Sequence, residues 1–279
     1  MSKPDSTAAA IQPDDRHRYP GVRAFEEQDR KRFFGRSRAT EELLLRVLSV
    51  RLLLQFAPSG VGKTSLLNAG LFPALRRHNL FPFIIRLNEV KESLTQAARR
   101  SLDAAANQSG LKEPVVPERA ESLWELLAGV QLWSPDLLLL TPVLVFDQFE
   151  EVFTLRDEAF RREFALEVGA FSLGRAPQRV IDNSSGNPAN AVAAPDVKII
   201  ISLREEYLGR LEELSSSIPD LFHERLRLLP LTADEAKEAI VEPARLEGNT
   251  WPSPLFEFDA RCLDDLIDFI DGASDKVKV

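Results

Sequence analysis

Along the chain, apolar and polar positions alternate between helical spacing and short, densely apolar runs. Residues 41–48 put Leu44, Val47 and Leu48 on one side, as an amphipathic helix does. A run that reads as a buried strand follows at 50–56 (VRLLLQF), then a Pro-Ser-Gly-Val-Gly turn. From about Lys63 a helix is predicted, with Leu67, Leu71, Ala74 and Leu75 facing inward. Further strands are predicted at 81–87 (FPFIIRL), 142–146 (PVLVF), 197–203 (VKIIISL) and 225–229. Helices are predicted between them at 91–106, 121–132, around 149–153 and at 160–171, and helices at 233–245 and 261–271 close the chain. Residues 177–195 are rich in Asn, Ser, Ala and Pro and read as a mobile surface loop.

Strands that are apolar throughout are buried on both faces, as in parallel sheets covered by helices. The expected fold is therefore α/β: a five-stranded parallel sheet with helices on both faces, plus the start of a C-terminal helical subdomain. The boundaries expected are a disordered leader at 1–18, a core at 19–231 and an incomplete helical lid at 232–279. The leader carries acids and no apolar stretch of the kind a signal peptide needs.

Composition narrows the function classes. A formal net charge of −8 over 279 residues argues against a dedicated nucleic-acid binder, which usually carries a basic footprint. The single cysteine, Cys262, excludes an intrachain disulfide and fits a reducing, cytoplasmic setting. His17, His78 and His223 have no ligand spacing, and no apolar run approaches the ~20 residues of a membrane span.

The chemistry centres on Ala57–Ser65 (APSGVGKTS), which fits a Walker A phosphate loop with Ala57 in the first glycine position. Triphosphate oxygens need converging backbone N–H donors, and Gly60 and Gly62 permit the positive φ angles of such a loop. Pro58, Ser59, Gly60, Val61, Gly62, Lys63, Thr64 and Ser65 form the candidate cradle, completed by the N-terminus of the following helix. Lys63 would reach the β- and γ-phosphates, and Thr64 would put its hydroxyl on magnesium. The blander alternative is a glycine-rich turn before a helix, but the buried strand ahead and the amphipathic helix behind favour the phosphate loop.

At 143–151 (VLVFDQFEE) four apolar residues end in an aspartate, a Walker B pattern in which Asp147 would hold magnesium. Glu150, and Glu151 as second choice, would orient or deprotonate the attacking water. They also read as a favourable carboxylate pair in a helix's first turn. Arg204 follows the fourth strand, at the end where ligands bind in open α/β sheets, and would sense the γ-phosphate. Its alternative is a weak surface ion pair with Glu205 or Glu206.

Taken in order, these segments resemble the STAND branch of P-loop NTPases, and most of all the bacterial novel STAND group of conflict systems. The resemblance is carried by Tyr19-Pro20-Gly21 with Phe25-Glu26-Glu27, by Phe33-Phe34-Gly35-Arg36 and by the phosphate loop. It continues through Ile85-Arg86-Leu87-Asn88, Asp147-Gln148-Phe149-Glu150-Glu151, Ser202-Leu203-Arg204-Glu205, Leu229-Pro230-Leu231-Thr232 and Glu242-Pro243-Ala244. It implies that Phe34, Gly35 and Arg36 lie against adenine and ribose, making the nucleotide ATP or ADP, and that Arg204 is the sensor arginine. It places Pro230 near the base, where the helical subdomain joins. It further implies a slowly hydrolysing switch for signalling or defence, capable of self-assembly, whose effector and sensor domains lie outside this chain. The alternatives are a nucleotide-binding scaffold without turnover and an AAA+-like remodelling ATPase.

Overall fold

A computed structural model describes residues 17–183, 194–247 and 254–276. The expected leader, apart from His17 and Arg18, lies outside the described residues, as do residues 184–193 of the expected loop. The described residues form two compact units, one within 37–230 and the other from 17–36 together with those after 230.

In the larger unit, β1 (Leu52–Ala57), β2 (Leu80–Ile85), β5 (Thr141–Asp147), β6 (Lys198–Arg204) and β7 (Arg225–Arg227) form one sheet in the order β2-β5-β6-β1-β7. Every pairing in it is parallel. The strand before the phosphate loop and the strand ending at Asp147 are therefore not neighbours; β6 separates them. The chain leaves β1 toward the β2 side and leaves β6 toward the β7 side. A topological switch point thus lies between β1 and β6, where such sheets open a ligand crevice at their carboxyl ends.

Alternation along the strands sends side chains to two faces. Leu52, Leu54, Phe81, Phe83, Leu144, Phe146, Ile199 and Ile201 share one apolar core with α4 (Leu94–Gln108), α5 (Leu123–Gly129), α7 (Glu158–Leu173) and α9 (Glu212–Ser215). The intervening Leu53, Val143, Val145 and Ile200 are also buried and look the other way. That second face is covered by α1 (Ser37–Ser49) and by the helical stretch after the phosphate loop. This stretch runs through α2 (Lys63–Ser65), a π-helical turn at Leu66–Leu71 and α3 (Phe72–Arg76). Leu67, Leu71, Ala74 and Leu75 are buried, as their spacing predicts. π-Helical turns are rare and concentrate at functional sites.

The sequence reading missed a small antiparallel sheet of β3 (Lys112–Val115) and β4 (Gln131–Trp133). The expected helix at 121–132 is correspondingly shorter, because its last residues enter β4. Within the expected loop at 177–195, α8 (Gln178–Asn183) is helical.

In the smaller unit, a 3-10 turn at Glu27–Arg32 precedes α10 (Ala233–Ala244) and α11 (Ala260–Lys276). Thr232 caps α10 through a reciprocal box with Glu235. Gly35 has φ +77°, and a Cβ there would lie 2.2 Å from the Glu235 carbonyl oxygen, so only glycine fits. Phe34, Gly35 and Arg36 belong to this unit. No helix among the described residues is long and apolar enough to cross a membrane.

Candidate functional site

The phosphate loop leaves β1 at Ala57, which is still paired in the sheet opposite Arg204. An alanine suffices in the first glycine position because the backbone there remains that of a strand. Gly60 and Gly62 have φ of +83° and +97°, with open space where a Cβ would stand. The loop's curvature, not crowding by the protein, demands glycine at both. Gly62 caps α2, so the first helical N–H groups and the positive end of the dipole face the concavity. Lys63 Nζ donates to the carbonyl oxygens of Ala57 (3.1 Å) and Pro58 (3.4 Å), folding back across the loop. Burial holds its pKa below the ordinary lysine value, while Glu150 and Asp147 pull it upward.

Asp147 is the last residue of β5 and is buried. Thr64 Oγ1 donates to its Oδ2 at 2.8 Å, joining the two motifs across the β6 gap. Arg86, just past β2, donates to the same oxygen at 2.9 Å. Oδ1 is buried without a hydrogen-bond partner. One hydroxyl and one carboxylate fit a magnesium site, because Mg²⁺ takes one or two protein ligands and completes its shell with water and phosphate. Among the described residues no cluster of three or more His, Cys, Asp or Glu could hold a metal on protein ligands alone.

The turn after Asp147 is held from behind. Gln148 takes a left-handed φ of +57°, and Phe149 N–H donates to the Ser202 carbonyl oxygen at 2.9 Å. Phe149 packs edge-on against Phe146 and Phe153 and tilted against Phe164, its ring 4.7 Å from that of Phe164 and 5.7 Å from that of Phe153. Such aromatic pairs contribute about 0.5–1.5 kcal/mol each beyond area burial. This anchoring fixes the start of α6 (Glu150–Leu155) and with it both glutamates. Glu150 is ion-paired with Arg204 Nε at 3.0 Å and accepts a hydrogen bond from the Arg204 backbone N–H at 3.2 Å. Arg204 thus pairs with neither sequence neighbour; Glu205 instead binds Arg227 at 2.9 Å. Glu151 has a buried Oε2 without a partner, and burial raises its pKa against the lowering influence of Arg86.

Lys63, Thr64, Asp147, Glu150, Glu151 and Arg204 all belong to this unit, at the carboxyl ends of β1, β5 and β6 or just beyond. Phe34, Gly35 and Arg36 belong to the other unit. Arg86 joins the site from the end of β2, a role that nothing in the sequence pattern marked. Gln55 and Ser202, polar residues interrupting LLLQFA and IIISL, were missed too; a polar residue inside a wholly buried strand was the available signal.

The family model described as Novel STAND NTPase 1 matches residues 19–268, most of the chain. The chain belongs to this family. Its fold is that of a P-loop NTPase, a nucleotide-binding architecture. No curated protein is significantly similar to it. Among solved structures it is similar to the Walker-type ATPase PABY2304 of Pyrococcus abyssi, at 15% identity and TM-score 0.48, covering 80% of this chain and 59% of that one. Cdc6p from Pyrobaculum aerophilum matches at 17% identity and TM-score 0.47, covering 84% and 54%. The Aeropyrum pernix ORC1 protein, solved in complex with DNA, matches at 16% identity and TM-score 0.43, covering 76% and 50%. The chain spans about half the length of these structures.

Proposed function

We propose that this domain binds ATP with magnesium, hydrolyses it slowly and works as a nucleotide-dependent switch in signalling or defence. The observation behind this reading is the Arg204–Glu150 pair. A strand-end arginine suited to sensing a γ-phosphate is engaged with the carboxylate suited to activating water. While they hold each other, Glu150 is not available as a base. A triphosphate that draws Arg204 away frees the carboxylate, so sensing and hydrolysis are linked through one contact. This arrangement favours slow turnover over fast catalysis.

In this reading the phosphate-loop amides and Lys63 bind the phosphates, and Thr64 and Asp147 hold magnesium. Bound there, the metal would neutralise charge on the phosphates. Glu150 is the preferred base, with Glu151 as second. The preference for adenine rests on the family resemblance of Phe34, Gly35 and Arg36. Self-assembly, partner effector or sensor domains, and action in the cytoplasm belong to the same proposal.

Single-turnover hydrolysis by the parent, Lys63→Ala and Glu150→Gln tests it. Lys63→Ala is expected to lose nucleotide binding. Glu150→Gln is expected to keep binding and to slow phosphate release roughly 100-fold or more. Equal phosphate release from all three would sink the enzymatic claim. Tight binding without release by the parent would favour the scaffold alternative, and strong stimulation by nucleic acid would favour a remodelling ATPase.

A further inference from the structure

Three adjacent strands carry one polar side chain each at the same level. In the parallel register Gln55 of β1 stands beside Ser202 of β6, and Ser202 stands beside Asp147 of β5. Register partners in a parallel sheet point to the same face, here the one covered by α1 and the helical stretch after the phosphate loop. Gln55 and Ser202 are 0% exposed and Asp147 is 2% exposed. Both amide atoms of Gln55, the Ser202 hydroxyl and Asp147 Oδ1 have no hydrogen-bond partner. Each such group costs about 1–3 kcal/mol if left unsatisfied, and an apolar side chain would avoid that cost. On the same face of these strands Leu53, Val143, Val145 and Ile200 are buried and apolar, so the polar row calls for a reason.

Only one direction of hydrogen bonding along the row gives Asp147 Oδ1 a donor. Asp147 Oδ1 only accepts, the Ser202 hydroxyl both donates and accepts, and the Gln55 amide nitrogen donates. Neighbouring strands lie about 4.8 Å apart, a gap that rotation of a serine hydroxyl toward a carboxylate can close.

We infer that Gln55 and Ser202 are positioning residues for Asp147, forming a line in which Gln55 donates to Ser202 and Ser202 donates to Asp147 Oδ1. The line pins one carboxylate oxygen from beneath the phosphate-loop helix. The other oxygen stays turned toward Thr64 and Arg86, where a metal ion would be met. Partners that orient a metal-binding side chain change metal affinity without touching the metal. This inference rests on the proposed role of Asp147 toward magnesium, and it adds to that role the two residues that aim the carboxylate.

The test uses the full chain and a fluorescent N-methylanthraniloyl ATP, titrated with magnesium and, separately, in EDTA. Ser202→Ala and Gln55→Leu are expected to raise the magnesium concentration for half-maximal Mg-dependent binding roughly 10-fold. Their nucleotide affinity in EDTA should match the parent's, and Ser202→Thr, which keeps the hydroxyl, should restore the parent's magnesium requirement. Gln55→Met, close to the amide in volume, serves if Gln55→Leu does not fold. Asp147→Asn is the control for the underlying reading. If it alone loses the magnesium dependence while the Ser202 and Gln55 variants keep the parent's, the positioning role is overturned and the role of Asp147 stands. If Asp147→Asn also keeps the parent's magnesium dependence, the role of Asp147 fails and the positioning role falls with it. A lowered melting temperature with an unchanged magnesium requirement marks the row as merely structural and also overturns the inference.

Discussion

Two buried aspartates, Asp29 in the smaller unit and Asp147 in the larger, sit in opposite states of completion. Asp29 accepts from Arg23 at 2.5 and 3.1 Å, from Arg32 Nε at 3.0 Å and Nη2, and from the Glu26 backbone N–H at 2.8 Å. Both its oxygens are engaged, and it closes the start of the Glu27–Arg32 turn. Asp147 shares one oxygen between Thr64 and Arg86 and leaves the other without a partner. A buried charge satisfied on every side is committed to the fold. One left partly unsatisfied at a strand's carboxyl end calls for a reason beyond the fold.

The comparison breaks most easily at Asp29. Asp29→Ala removes the common partner of two arginines, one of them nearly fully buried. Leaving such a charge uncompensated costs about 3–5 kcal/mol. The loss should be local, read as faster amide exchange across residues 24–33, with nucleotide binding as a separate measurement. A change below about 1 kcal/mol would mean that Asp29 is no better integrated than a surface acid.

Acid sharpens the same contrast with a smaller effect. Burial alone would raise the Asp29 pKa, but hydrogen bonds from Arg23, the Glu26 amide and Arg32 outweigh it and bring it to about 2, below the ordinary 3.8. A depressed folded pKa contributes stability that is fully present well above the unfolded value and is lost as pH falls through the folded one. The contribution is about 2 kcal/mol and should disappear between roughly pH 5 and pH 2. Amide exchange at residues 24–33, followed down that range in the parent and in Asp29→Asn, should show the acid-dependent step in the parent alone. The same step in both would assign it to other carboxylates.

The legibility of these regions in the sequence follows from their physics. The phosphate loop was readable because its glycines, lysine and threonine are adjacent, and the strand before it is largely apolar and buried on both faces. Asp147 was readable because it ends such a strand. Arg86, Gln55 and Ser202 were not, since their relation to Asp147 exists only through strand order, and β6 lies between β1 and β5 although it follows both in the chain. The β3–β4 pair was hidden for a different reason: β3 is exposed at all four positions, so it carries no burial pattern to read. Arg204 was readable as a strand-end arginine, but its partner was not. The local acids Glu205 and Glu206 looked sufficient, whereas the fold supplies Glu150 from 54 residues away.

The smallest expected effect is the stability change on Asp147→Asn, and it decides what kind of residue Asp147 is. The substitution gives up a charge-assisted contact with Arg86, whose side chain is 30% exposed and so partly screened by water. It also removes a buried negative charge close to Glu151, whose pKa Asp147 helps to raise. These two changes oppose each other. Asparagine keeps an oxygen for Thr64 and Arg86 and puts an N–H₂ donor where Oδ1 had no partner, facing a serine hydroxyl that can accept. The net change should therefore stay within about 1 kcal/mol of the parent, in contrast to the loss at Asp29. Chemical denaturation of Asp147→Asn beside the parent measures it. A loss of 3 kcal/mol or more at Asp147 would place it with Asp29 as a structural acid and remove the physical ground for reading its unpartnered oxygen as part of a site.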